Sequence, residues 1–186
     1  EAQTRQLREL RLLDAIANGS TDAIFAKDVD GRYLFANREV ARVMGTTPAS
    51  LLGQVDDAFF QPDESAAIHR QDRVVMETDA VATWEERLTT ADGTVIFQTT
   101  KGPLHDETGK VLGVFGIARD ITELRRDEQA LREREEIFSA IVSQAADGIV
   151  LLDAETLRFV EFNDAACQGL GYSREAFGAL TLVDIQ

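Results

Sequence analysis

The sequence predicts an α+β fold built on a five-stranded antiparallel sheet. Three observations carry this. Helical and apolar-strand patterns follow one another in the order helix, two strands, several short helices, three strands. The first two strands flank the turn VDG (29–31), and the last three are joined by the turns ADG (91–93) and DETG (106–109). The chain has 186 residues, of which 44% are apolar and only 3 are proline, so it can bury a substantial core.

In chain order, residues 4–18 place Leu7, Leu10, Leu13 and Ile16 at helical spacing, giving an N-terminal flanking helix over 1–18. Residues 23–28 and 32–36 are short apolar runs that read as a hairpin with Gly31 in its turn. Asn37 suits the N-cap of a short helix that ends near Gly45. Thr47-Pro48 opens another, with threonine as cap and proline at the first position. A longer helix is expected over 63–77, and strands over about 81–90, 94–104 and 110–120.

The chain also repeats itself. IANGSTDAIFAKDVDGRYLFANREVARVMGTTPASLLG (16–53) is echoed by IVSQAADGIVLLDAETLRFVEFNDAACQGLGYSREAF (141–177), with Asp22, Ile24 and Asp28 matching Asp147, Ile149 and Asp153. After a one-residue insertion, Asn37 matches Asn163 and Gly45 matches Gly171. A repeat at this distance means two related domains. The expected division is a complete domain over 19–122, a helical linker over 123–146, and a truncated front half of a second domain over 147–186. That half has a first hairpin and short helices but no later strands. Its residues 148–162 are therefore expected to expose strand edges and apolar surface, and to be poorly ordered or paired with another chain.

Charge narrows the function classes. A net charge of −14 and 16 Arg interspersed with acids leave no basic patch for nucleic acid or an anionic membrane. Cys167 is the single cysteine, so no internal disulfide can form, which fits a reducing compartment. No apolar run reaches the roughly 18 residues of a membrane span. The expectation is a cytoplasmic fragment of a longer protein, since the first residue is Glu rather than Met.

The segments KDVDGRYLFANREVARVMG (27–45), EERLTTADGT (85–94) and KGPLHDETGKVLGVFGIARDIT (101–122), followed by DEQALREREEIF, resemble the PAS sensor family. The terminal DIT running into a charged helix is the strongest part of the likeness. The resemblance spans 12–122 and, as the front half of a second copy, 137–186. It implies the PAS fold, with sheet order 2-1-5-4-3 and helices enclosing a pocket on one face. It also implies sensing or interaction, with signals passed along flanking helices to a distant histidine kinase or diguanylate cyclase.

Candidate residues follow. The resemblance turns Phe25 toward the pocket, and strand alternation then turns Lys27 the same way. A buried ammonium needs a partner. Glu85 or Glu86 is expected to supply it, or the carboxylate of a small ligand assisted by Arg87. Phe97 with Thr99, and Phe115 with Ile117, are expected to complete a mostly apolar lining. The signal relay is assigned to Asp120, Ile121 and Thr122, with Asp120 and Glu123 as a capping pair, and to Leu124 and Leu131 on the linker. Leu124, Leu131, Phe138 and Ala145 are seven residues apart, with Glu128 and Glu135 in the intervening sites, which suits an adjustable two-helix contact and a homodimer. Asn37 and Gly31 are read as structural, and Trp84 as packing.

Haem and flavin are disfavoured. The region matching the reactive-cysteine site of light-sensing relatives, ARVMGTTPAS, lacks cysteine, and Cys167 reads as buried filler. His69 does not sit on a well-defined apolar stripe, and His105 falls in a turn. No zinc-ligand spacing and no catalytic set occurs, so no enzymatic activity is expected of the fragment. The expected function is a sensory module that binds a small molecule or partner and relays the change through the linker; the alternative is a constitutive dimerisation scaffold whose pocket is filled by its own side chains.

Overall fold

The computed structural model describes residues 2–90 and 92–185; Glu1, Gln186 and Ala91 of the expected ADG turn lie outside the described residues. The chain forms two compact units, 1–125 and 126–186.

The first unit contains α1 (Ala2–Gly19), β1 (Ala23–Asp28), β2 (Tyr33–Ala36), α2 (Arg38–Val43), α3 (Pro48–Leu51), a 3-10 turn at Asp56–Ala58, α4 (Pro62–Thr78), β3 (Ala82–Thr90), β4 (Gly93–His105) and β5 (Val111–Asp120). The strands pair antiparallel in the order β2-β1-β5-β4-β3, the order the resemblance implied. Helices α2, α3 and α4 pack against this sheet, around Phe25, Val40, Leu51, Ile68 and Phe97.

Local chemistry sets the boundaries. Thr47 caps α3, with Pro48 at its first position. Gln61 and Glu64 form a reciprocal capping box ahead of α4, again with proline at the start. Asn37 does more than cap. Its Oδ1 accepts from Val40 N and from Ile24 N, both at 3.1 Å, while its Nδ2 donates to Ala17 O at 2.8 Å and Asp22 O at 2.9 Å. One fully buried amide thus ties the last turn of α1 to β1 and α2.

The helix α5 (Thr122–Gln144) leaves the sheet through a clamp on β4. Asp120 Oδ1 accepts from Thr122 N at 2.8 Å, capping the helix. Ile121 N donates to Ile96 O at 2.8 Å, and Thr122 Oγ1 accepts from Ile96 N at 2.9 Å. Asp120 therefore does the capping, but Ile96 and not the expected Glu123 closes the arrangement. No α5 side chain among the described residues is buried.

The second unit carries the rest of α5, the two-stranded hairpin β6 (Val150–Leu152) and β7 (Phe159–Phe162), α6 (Asp164–Gly169), α7 (Arg174–Gly178) and a 3-10 turn at Leu182–Asp184. Its small core is Phe159, Ala166, Cys167 and Phe177. Ile149, Val150, Leu151 and Val160 are exposed. The repeat is structural as well as textual: Asn163 Oδ1 accepts from Ala166 N and Ile149 N, and Nδ2 donates to Val142 O and Asp147 O. Gly45 and Gly171 likewise both adopt positive φ, 64° and 78°, after their helices.

Candidate functional site

Alternation along β1 buries Ala23, Phe25 and Lys27 on the helix-covered face. Lys27, only 1% exposed, reaches past the Phe25 and Tyr33 rings, its Nζ 5.1 and 5.0 Å from their centres. It ends between two carboxylates, 2.6 Å from Asp56 Oδ2 and 3.1 Å from Asp72 Oδ2. On β4 the inward series Phe97, Thr99, Lys101 supplies a second buried ammonium. Lys101 Nζ lies 2.9 Å from Asp72 Oδ1 and 3.4 Å from Glu86 Oε1. Tyr33 donates its hydroxyl to Asp56 Oδ1 at 2.7 Å.

Asp72 therefore bridges both lysines, and Asp56 joins Lys27 to Tyr33. Burying such charges is costly unless they are paired and hydrogen-bonded. Burial by itself would raise the Asp72 carboxyl, but the two ammonium groups outweigh it and hold it below its ordinary value. Burial, with the Asp56 carboxylate beside it, pushes the Tyr33 hydroxyl well above its ordinary value, so this phenol stays a neutral donor.

The cluster borders a cavity of about 40 Å³ whose apolar wall includes Phe25, Val40, Ile68 and Phe97. Its polar lining includes Asp56, Glu86 and Thr99. Two atoms here are buried without a hydrogen-bond partner, Thr99 Oγ1 and Glu86 Oε1. The Lys101 contact to Glu86 is an ion pair at 3.4 Å without hydrogen-bond geometry.

Of the residues singled out from the sequence, Phe25, Lys27, Phe97 and Thr99 converge on this cavity. Four do not. Phe115 and Ile117 lie on the opposite, exposed face, because in β5 it is Val114, Gly116 and Ala118 that point inward. Gly116 sits beneath the Phe25 ring, where a larger side chain would collide with it. Glu85 and Arg87 also face outward, since β3 turns Glu86 and Leu88 toward the core. Glu85 instead pairs with Arg125 at the start of α5, at 2.6 Å. Lys27 has partners, but they are Asp56 and Asp72 rather than Glu85 or Glu86. Each ammonium is thus paired with a buried carboxylate of the protein itself, Lys27 with Asp56 and Asp72 and Lys101 with Asp72. Leu124 and Leu131 are exposed along α5.

Sequence reasoning missed Tyr33, Asp56, Asp72 and Lys101. Asp72 had a signal: Ser65, Ile68, Asp72 and Val75 form one buried helical stripe, and an acid on such a stripe needs a cation. Lys101 continues the Phe97, Thr99 alternation. Asp56 sits in a 3-10 turn with no periodicity to mark it.

His69 lies 3.6 Å from Asp56 Oδ2 and 3.6 Å from Asp57 Oδ1. Cys167 is buried, its thiol 3.6 Å from Asn163 O. Among the described residues no group of three His, Cys, Asp or Glu is placed to hold a metal ion. None of the described helices is long and apolar enough to cross a membrane.

The fold agrees with comparisons to known proteins. The family profile described as the PAS fold matches residues 17–126, and one described as a PAS domain matches 136–185. The chain belongs to the PAS family. Among its PAS relatives, the methanogenesis regulatory histidine kinase FilI of Methanothrix harundinacea is 30% identical over 142 residues, covering 76% of this chain and 16% of the relative. A diguanylate cyclase of Vibrio cholerae is 34% identical over 120 residues, covering 63% of this chain and 37% of the relative. The chain thus spans well under half of either protein. The crystal structure of a PAS domain from Colwellia psychrerythraea shares the fold, with TM-score 0.54 at 23% identity, over 61% of this chain and 98% of that one. Like those of its relatives, this PAS region is a sensory signalling module.

Proposed function

We propose that the first PAS unit senses a small molecule in the cavity beside Lys27 and Lys101 and relays its occupancy through Asp120, Ile121 and Thr122 into α5. The observation carrying this is a buried polar cluster with two oxygens that lack a hydrogen bond, Glu86 Oε1 and Thr99 Oγ1, in residues lining the cavity, on a sheet that runs into α5 through the Ile96 clamp. Such a sheet transmits a shift as altered helix direction. In a homodimer joined through Leu124 and Leu131, that shift alters the packing of two α5 helices and reaches a cytoplasmic kinase or cyclase. The fragment itself performs no catalysis on this reading, and binds neither haem nor flavin.

A second reading has its own support. A cavity of about 40 Å³ holds only about three water molecules, which suits a constitutive scaffold with a pocket filled by its own side chains. Hydrogen exchange on the whole chain separates the two. Thr99→Leu, which fills the cavity, should change amide protection at 120–125 if the cavity is coupled to α5. Unchanged protection there sinks the relay and leaves the scaffold. In ultracentrifugation, Leu124→Asn with Leu131→Asn should weaken self-association; equal association in the variant sinks the α5 contact.

A further inference from the structure

The charge balance of the cluster identifies a class of ligand. Two ammonium groups, Lys27 and Lys101, face three carboxylates, Asp56, Asp72 and Glu86, all buried. Tyr33 is a neutral donor already spent on Asp56. His69 Nε2, at the rim and 38% exposed, lies 3.6 Å from both buried Asp56 Oδ2 and exposed Asp57 Oδ1. The buried carboxyl groups thus outnumber the buried ammonium groups by one. The excess is localised by geometry: Asp56 and Asp72 have ammonium hydrogen bonds of 2.6 to 3.1 Å, whereas Glu86 Oε1 has only the distant Lys101 contact. Thr99 Oγ1, in a residue 1% exposed, is a second unpartnered group lining the same cavity, a hydroxyl able to accept or to donate.

We propose that this cavity takes a small monocation bearing N–H donors, an ammonium or short alkylammonium head, received by Glu86 Oε1 and Thr99 Oγ1. The inference rests on the small-molecule reading above and assigns its ligand class, opposite in charge to the carboxylate that Lys27 alone suggested. An anion would meet an interior where carboxyl groups are already in excess; a cation offsets that excess and satisfies both unpartnered oxygens. The apolar wall of Phe25, Ile68 and Phe97 accommodates a methyl or ethyl tail. A metal ion fits poorly, because the two lysines already occupy the carboxylates that would ligate it.

The test is titration of the whole chain with methylammonium chloride, against sodium chloride and sodium acetate at matched ionic strength, followed by amide NMR and thermal unfolding. Methylammonium should give saturable shifts centred on Glu86 and Thr99 and raise the unfolding temperature, with no such response to sodium chloride or acetate. Glu86→Gln, which removes the excess carboxyl group, should weaken binding at least about tenfold, and Thr99→Val in the same direction. Thr99→Val carries the test if Glu86→Gln does not fold. Saturable acetate binding at these residues overturns the cation class while leaving small-molecule sensing intact. No saturable response to methylammonium overturns the cation proposal, while small-molecule sensing then stands or falls on the Thr99→Leu exchange experiment.

Discussion

Glu85 and Glu86 are neighbours on β3 and face opposite sides of the sheet: Glu86 Oε1 approaches buried Lys101 at 3.4 Å, while Glu85 Oε2 holds Arg125 of α5 at 2.6 Å. One edge strand thus touches the interior cluster and the outgoing helix through consecutive residues. Because Glu85 and Arg125 are both solvent-exposed, their pairing contributes less than about 1 kcal/mol. Glu85→Ala should therefore leave the denaturation midpoint nearly unchanged while speeding amide exchange in the first turn of α5. A stability loss above about 2 kcal/mol would show that the pair is structural.

Lys27 is a different case. Replacing it with methionine keeps the packing of its stem but takes the ammonium from buried Asp56, which keeps the Tyr33 hydroxyl, and leaves Asp72 with Lys101 alone. Removing one partner of a buried pair costs about 3–5 kcal/mol. Urea denaturation of Lys27→Met should show a loss of that order, and a loss under 1 kcal/mol would mean that water reaches the cluster.

The same cluster fixes a pH response. Asp72 has its folded pKa below the ordinary 3.8, so its stabilising contribution is present above about pH 4 and disappears as pH falls further. Tyr33 has its folded pKa above the ordinary 10.0, so its contribution is complete below about pH 10 and disappears as pH rises beyond that. The unfolding temperature of Asp72→Asn should show a weaker acid limb than the parent, and that of Tyr33→Phe a weaker alkaline limb. Parallel curves for parent and variant would contradict the assignment.

Strand order came from the family resemblance, whereas the three hairpins of the first unit and the cap residues were legible because each rests on local chemistry: turn glycines, Thr47-Pro48, Asn37. The cluster was half legible. Lys27 announced itself as a cation on a buried strand face, yet its partners come from a 3-10 turn and from α4, distant in sequence and placed only by tertiary packing. On β5 the choice of face went to the bulky Phe115 and Ile117, whereas small Gly116 and Ala118 occupy the inner face beneath Phe25. Hydrophobicity alone does not identify the inner face when a neighbouring ring needs room.

That point can be measured with two glycines. A Cβ on Gly116 would collide with the ring of buried Phe25, so Gly116→Ala should cost about 1–3 kcal/mol or more by overpacking. A Cβ on Gly102 would meet the tip of half-exposed Phe115, which can swing aside into solvent, so Gly102→Ala should cost clearly less. Equal losses in thermal unfolding would reject this ordering.

Asn37→Asp keeps the acceptor for Ile24 N and Val40 N but sets a carboxylate oxygen against Ala17 O and Asp22 O. A loss of about 3 kcal/mol is expected from two lost donors and the carbonyls left facing a charge. Asn163→Asp should do the same to the second unit. Variants as stable as the parent would remove the asparagine from the helix junction.

Both asparagines take hold of a peptide carbonyl, that of Ala17 or of Val142, and neither reads the side chain there. The asparagine's own grip is thus on backbone, and in the first unit Asn18 Oδ1 adds one side-chain hold, accepting from Arg38 N at 2.9 Å. Substitutions on the outer faces of α1 and α5 leave that backbone grip in place.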